Sequence, residues 1–105
     1  MVRDAEALNR AIHDYVSEVK RLIIIDKVIL FGSYAAGTAT EHSDIDLCFF
    51  SPDFLNRRSI DISMDLLRIA RKYRMINFEP RGYATSEING SNPLVMEIIR
   101  TGIEL

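Results

Sequence analysis

The chain has 105 residues, 48% of them hydrophobic, and a formal net charge of -2 at pH 7. That is apolar material for one modest core, so residues 1–105 are expected to form one domain, too small to join a catalytic core to a separate substrate-recognition domain. The acidic balance argues against a general nucleic-acid coat, the lone Cys48 excludes an internal disulfide and fits a reducing cytoplasm, and no apolar run reaches membrane-spanning length.

Leu8, Ile12, Tyr15, Val16, Val19, Leu22 and Ile23 recur at helical spacing and Asp4 is a suitable cap, which predicts an amphipathic helix from about Asp4 to Leu22. Its other face, with Glu6, Arg10, Asp14, Glu18 and Lys20, reads as solvated. His13 lies at the margin of that face with no second ligand near it, so it is not a metal site. Ile23-Ile24-Ile25 leads through Asp26-Lys27 into Val28-Phe31, β-branched enough for a buried strand.

That strand stops at Gly32-Ser33, where a helix through Ala36 is expected to open. A glycine here lets an anion approach the backbone closely, and Ser33 can cap the helix, contact a phosphate, or do both. Gly32 and Gly37 also fall at P-loop spacing, but Thr38-Ala39 stands where a P-loop needs Lys-Ser/Thr. Thr38 to Ser43 reads as a polar loop, with His42 facing water and Ser43 bonding nearby backbone.

Asp44 to Phe50 reads as the second strand, with Ile45, Leu47 and Phe49 toward the core. Asp44 and Asp46, two positions apart, then share the other face. Paired carboxylates on a buried strand repel unless a cation joins them, and Mg²⁺ takes hard oxygen ligands together with a substrate phosphate. Cys48 lies further along the same face and reads as a buried, inert thiol.

Ser51-Pro52-Asp53 ends the strand, and Phe54 to Arg58 is a loop. Ile62, Leu66, Ile69, Ala70 and Tyr73 mark a second long helix from about Ser59 to Tyr73, with Asp61 and Asp65 near its start and Arg71 and Lys72 near its end, a polarity that suits the helix dipole. Arg57, Arg58, Arg68, Arg71, Lys72, Arg74 and Arg81 crowd this segment, and a solvated basic face is preferred to a nucleic-acid surface. Met75 to Arg81 reads as a third strand that sets Asn77 and Glu79 opposite Ile76 and Phe78. Gly82 to Gly90 is turn-rich, with room for a short helix at Ser86–Ile88. Asn92-Pro93 starts a last helix that Gly102 stops, and Ile103 to Leu105 can add an edge strand. The order α-β-(short α)-β-α-β-α predicts an α/β domain built on a small mixed β-sheet.

The run of Gly32-Ser33, ten intervening residues and then Asp44-x-Asp46 resembles the signature of the nucleotidyltransferase superfamily with the DNA polymerase β palm fold. Within it the chain is similar to the minimal nucleotidyltransferases, small prokaryotic proteins that often serve as the antitoxin of a HEPN-family toxin. The resemblance implies a small mixed sheet with helices packed on one face. It also implies a third carboxylate on the strand beside Asp-x-Asp, which falls at Glu79, where the family usually has Asp. By the same resemblance Asp44, Asp46 and Glu79 are catalytic and hold Mg²⁺, two ions being expected, while Gly32 and Ser33 grip the nucleotide phosphates. ATP is the implied donor, and the implied acceptor is a tyrosine hydroxyl on a HEPN-type toxin. Relatives commonly carry arginine where this chain has Ala36. A cytoplasmic protein is expected, with no membrane or nucleic-acid partner and with a homo-oligomer left open. The alternative is a catalytically weak antitoxin that neutralises its partner by non-covalent binding.

Overall fold

The computed structural model of the protein describes residues 5–40 and 42–105, so the cap expected at Asp4 lies outside the described residues. Its elements run α1 (Ala5–Leu22), β1 (Lys27–Phe31), α2 (Ser33–Ala36), β2 (Ile45–Ser51), α3 (Ser59–Ala70), β3 (Phe78–Ala84), α4 (Pro93–Thr101) and β4 (Ile103–Glu104), with 3₁₀ turns at Pro52–Phe54 and Thr85–Glu87. The strands form one mixed sheet in the order β3-β2-β1-β4. β1 runs antiparallel to both β2 and β4, and β2 runs parallel to β3.

The two long helices lie on one face of this sheet, as the resemblance implies. From α1, Ile12, Tyr15, Val16 and Val19 pack with Ile62 and Leu66 of α3 over Val28, Ile45, Leu47, Phe49 and Phe78. Tyr15 is the centre of that layer. Its ring stacks on Phe78 with centroids 4.5 Å apart and meets Phe49 edge-on, while its hydroxyl donates to the Leu66 carbonyl at 2.8 Å and so ties α1 to α3. Burial pushes the Tyr15 phenol upward, and it stays neutral.

The opposite face is divided, and the division positions the site. Cys48, Phe49 and Phe50 are all buried, so this end of β2 needs cover on both faces. Val95 and Ile98 of α4 supply it, packing with Ile29, Cys48 and Phe50. Asp46, at the other end of β2, lies outside that apolar cluster and is half-buried. Asn92 caps α4 as expected, its side-chain oxygen accepting from the N–H groups of Leu94 and Val95.

Besides one-residue shifts at β2 and at the Thr85–Glu87 turn, three boundaries differ from the sequence reading. Ile23 to Ile25 is not strand: the Ile23 N–H still donates to Val19, and Leu22 and Ile24 are exposed. The second helix ends at Ala70, because Tyr73 and Ile76 close successive turns on Ala70 and Tyr73. β3 therefore starts at Phe78 and runs on to Ala84, three residues later at each end than expected. Among the described residues no helix is long and apolar enough to cross a membrane.

Candidate active site

Sheet register brings the predicted acidic residues together. Phe31 of β1 pairs with Asp46 of β2, and Asp46 pairs with Glu79 of β3. Residues directly opposite on neighbouring strands share a face, so one row crosses the sheet from the end of β1 through Asp46 to Glu79. Asp44 precedes β2 by one residue and lines the same cleft as Glu79. Glu79 thus stands beside both aspartates, on their side of the sheet.

The electrostatics show three carboxylates crowded at one place. The hydrogen bond with Asp44, then burial, then the charges of Asp46 and Asp44 raise the Glu79 carboxyl above its ordinary range. Burial and then the charge of Asp44 raise Asp46, while a hydrogen bond with Glu79 and the charge of Arg81 pull it back. Glu79 and Asp46 are thus both held above the ordinary carboxylate range by burial and by the negative charge around them. Among the described residues no three His, Cys, Asp or Glu side chains are arranged to hold a metal ion as they stand. The acidic donors here are all oxygen, and their mutual repulsion is what a hard divalent cation relieves, so the residues present fit Mg²⁺ and not a thiolate-seeking metal.

Gly32 completes the row on its other side. Its φ of 73° and ψ of -151° lie in a region open essentially to glycine alone, and a Cβ placed there would run into Oδ2 of Asp46. Gly32 is exposed, so its backbone is open to a ligand. Gly32, not Ser33, is the residue that precedes α2, and no side chain caps that helix. The expected capping role of Ser33 is thereby corrected, because Ser33 is already the first helical residue. In the loop that follows, the Thr40 N–H donates to Ser43 Oγ at 2.9 Å, the local bond expected of Ser43.

Two clefts meet at Glu79. One of about 540 Å³ is lined by Asp44, Leu67, Arg71, Tyr73, Arg74 and Asn77 among others, and one of about 590 Å³ by Ile60, Ser63, Leu67, Pro80, Arg81 and Tyr83. Of the basic cluster noted in the sequence, Arg57, Arg58, Arg68 and Lys72 are tied up in ion pairs with Asp65, Asp61, Asp65 and Glu18. Arg71, Arg74 and Arg81 instead line the clefts. Their nearness to the site was hidden in the sequence by the ordinary explanation available for the whole cluster. The spacing of Arg81 from Glu79, two residues along one strand, is the feature that could have revealed it. Cys48 is buried beneath α4 and its thiol is pushed up to about 12 by burial, which makes it the inert group expected.

The nucleotidyltransferase domain family matches residues 12–103, a span that takes in the Gly32 turn, both aspartates and Glu79. The chain belongs to that family. A provisionally named protein adenylyltransferase of Methanocaldococcus jannaschii is 32% identical over 111 residues, covering 97% of this chain and 73% of that protein. The crystal structure of a provisionally named nucleotidyltransferase from Sulfolobus solfataricus has the same fold, with a TM-score of 0.67 over 99% of this chain and 89% of that one at 20% identity. The row of Gly32, Asp46 and Glu79 is thus carried on a nucleotidyltransferase domain, with Asp44 at its end.

Proposed function

We propose that this nucleotidyltransferase moves AMP from ATP to a protein hydroxyl in a Mg²⁺-dependent reaction, the acceptor being a tyrosine of a HEPN-type toxin that the protein thereby silences. The observation that carries the reading is the convergence of Asp44, Asp46 and Glu79 beside an exposed glycine-serine turn. The name of the archaeal relative supports a protein as acceptor.

Asp44 and Asp46, with Glu79, would hold Mg²⁺, which when bound neutralises charge on the phosphoryl oxygens. Gly32, without a side chain, admits the phosphates to its backbone, and the Ser33 hydroxyl, which caps nothing, is available to donate to them. The acceptor oxygen attacks the α-phosphorus, the bond to the bridging oxygen breaks in line, and pyrophosphate leaves. The acceptor proton goes to Glu79, the carboxylate at the β3 end of the row, where the acceptor is placed. In-line geometry sets the leaving group on the Gly32 side of Asp46 and the acceptor on the Glu79 side, where both clefts open.

Incubating the protein with α-labelled ATP, Mg²⁺ and the product of its neighbouring gene tests this. Label on that protein, lost with Asp44→Asn or Asp46→Asn, is the expected result. Neutralisation that survives both substitutions would overturn it in favour of non-covalent binding.

A further inference from the structure

We infer that Arg81 is the cation that receives the β and γ phosphates of the nucleotide, an assignment that rests on reading this site as a nucleotidyl-transfer centre. Arg81 follows Glu79 by two residues on β3 and so shares its face, and it pairs in register with Cys48, one row behind Asp46. Its side chain lies across the sheet. The guanidinium carbon is 5.7 Å from the centroid of the Phe31 ring, and Phe31 is the last residue of β1, directly before Gly32. A residue rooted on the strand of the third carboxylate therefore carries its charge to the strand that ends in the glycine-serine turn, spanning the row where the reaction is placed.

Two further observations say what that charge is for. Arg81 is half-buried and, among the described residues, forms no ion pair within 4 Å, unlike Arg57, Arg58, Arg68 and Lys72 of the same segment. A half-buried guanidinium that lies over an aromatic ring without an ion-pair partner keeps its fork of N–H donors available to a planar or phosphate acceptor. Arg71 and Arg74 line the cleft on the Asp44 side. On the Gly32 side the turn supplies only backbone N–H groups and the Ser33 hydroxyl, and α2 has no basic residue in its last turn. A triphosphate entering against three acidic groups needs a fixed positive charge on the leaving-group side, and Arg81 is the residue whose side chain is directed there.

The competing role is structural: Arg81 could only offset the repulsion of Asp46 and Glu79, both of which feel its charge. The two roles differ in what they predict for nucleotide binding. Removing a cation that only offsets carboxylates strengthens Mg²⁺ binding and leaves tri- and monophosphates equally affected. Removing a phosphate clamp weakens the triphosphate selectively.

The experiment is calorimetric titration of wild type, R81M and R81K with Mg²⁺ alone, with the Mg²⁺ complex of a non-hydrolysable ATP analogue, and with AMP, alongside thermal unfolding of each. One lost charge-assisted hydrogen bond predicts that R81M weakens the analogue by about tenfold or more. AMP should change much less, Mg²⁺ alone should bind as well or better, and R81K, which keeps a charge without the fork, should fall between. An analogue affinity unchanged in R81M, or equal losses for analogue and AMP, overturns the assignment while leaving nucleotidyl transfer intact. Failure of the wild-type protein to bind the analogue overturns both. If R81M is too unstable to titrate, R81K against wild type decides, and equal analogue affinities then reject the clamp.

Discussion

Replacing Gly32 by alanine and comparing it with the same change at Gly37 separates backbone strain from damage to the site. Both glycines have positive φ, 73° and 76°, but their surroundings differ. A Cβ at Gly37 meets nothing within 4 Å, whereas at Gly32 it meets the Asp46 carboxylate. Gly37 is in the left-handed helical region, where a side chain costs roughly 1–2 kcal/mol. The Gly32 conformation costs about 1–3 kcal/mol. At about 4–8 °C per kcal/mol for a domain of this size, both variants should melt lower by roughly 5–20 °C and remain folded at 20 °C. Their activities should diverge. Gly32→Ala has to turn Asp46 away from the row it shares with Glu79, and a displacement near 1 Å at a reacting centre costs about 100-fold. Gly37→Ala should keep its rate within a few-fold. The assay is initial-rate transfer of labelled nucleotide below both melting temperatures. Comparable rates in the two variants, or loss in Gly37→Ala alone, would refute the reasoning.

The remaining substitutions probe the fold and the charge of the site. The Glu79 carboxyl is raised in the folded chain, so its protonated form favours folding below the ordinary carboxylate pKa and that contribution disappears as pH rises through the raised value. Glu79→Gln should therefore be more stable than wild type at pH 7 without metal, the gap closing toward pH 4, while transfer is lost; melting curves across that range check the sign. Tyr15→Phe removes the donor to the buried Leu66 carbonyl and should lower stability by about 1 kcal/mol in urea titration, with transfer unaffected at low denaturant. Asn92→Ala deletes the cap of α4 and should cost about 1 kcal/mol, read as faster amide exchange in α4 and β4 than in α1.

Much of the site was legible because its signals are local. Alternation along β2 places Asp46 opposite Ile45 and Leu47, and a glycine-serine turn after an apolar run is visible without tertiary information. Glu79 required more, since its nearness to Asp46 comes from parallel pairing of strands that α3 separates in the chain. The nucleotidyltransferase resemblance supplied that register. The boundary of β3 slipped because Ile76, apolar and strand-like in sequence, closes a turn on Tyr73 after α3 instead of pairing in the sheet. Ile23 to Ile25 misled for the opposite reason: β-branched residues there finish a helix and reach the sheet only at Asp26, whose N–H donates to Phe50. Arg81 was least visible, because a basic cluster beside acidic helix residues already has an adequate explanation.

The central claim, that Asp44, Asp46 and Glu79 jointly hold a divalent ion beside the Gly32 turn, is tested most directly by locating that ion. Crystals grown with Mn²⁺ in place of Mg²⁺ and a non-hydrolysable ATP analogue should show anomalous density about 2.0–2.3 Å from oxygens of all three carboxylates, with analogue phosphate on the Gly32 side. Manganese bound away from these residues, or phosphate bound with Glu79 turned from the ion, would contradict it.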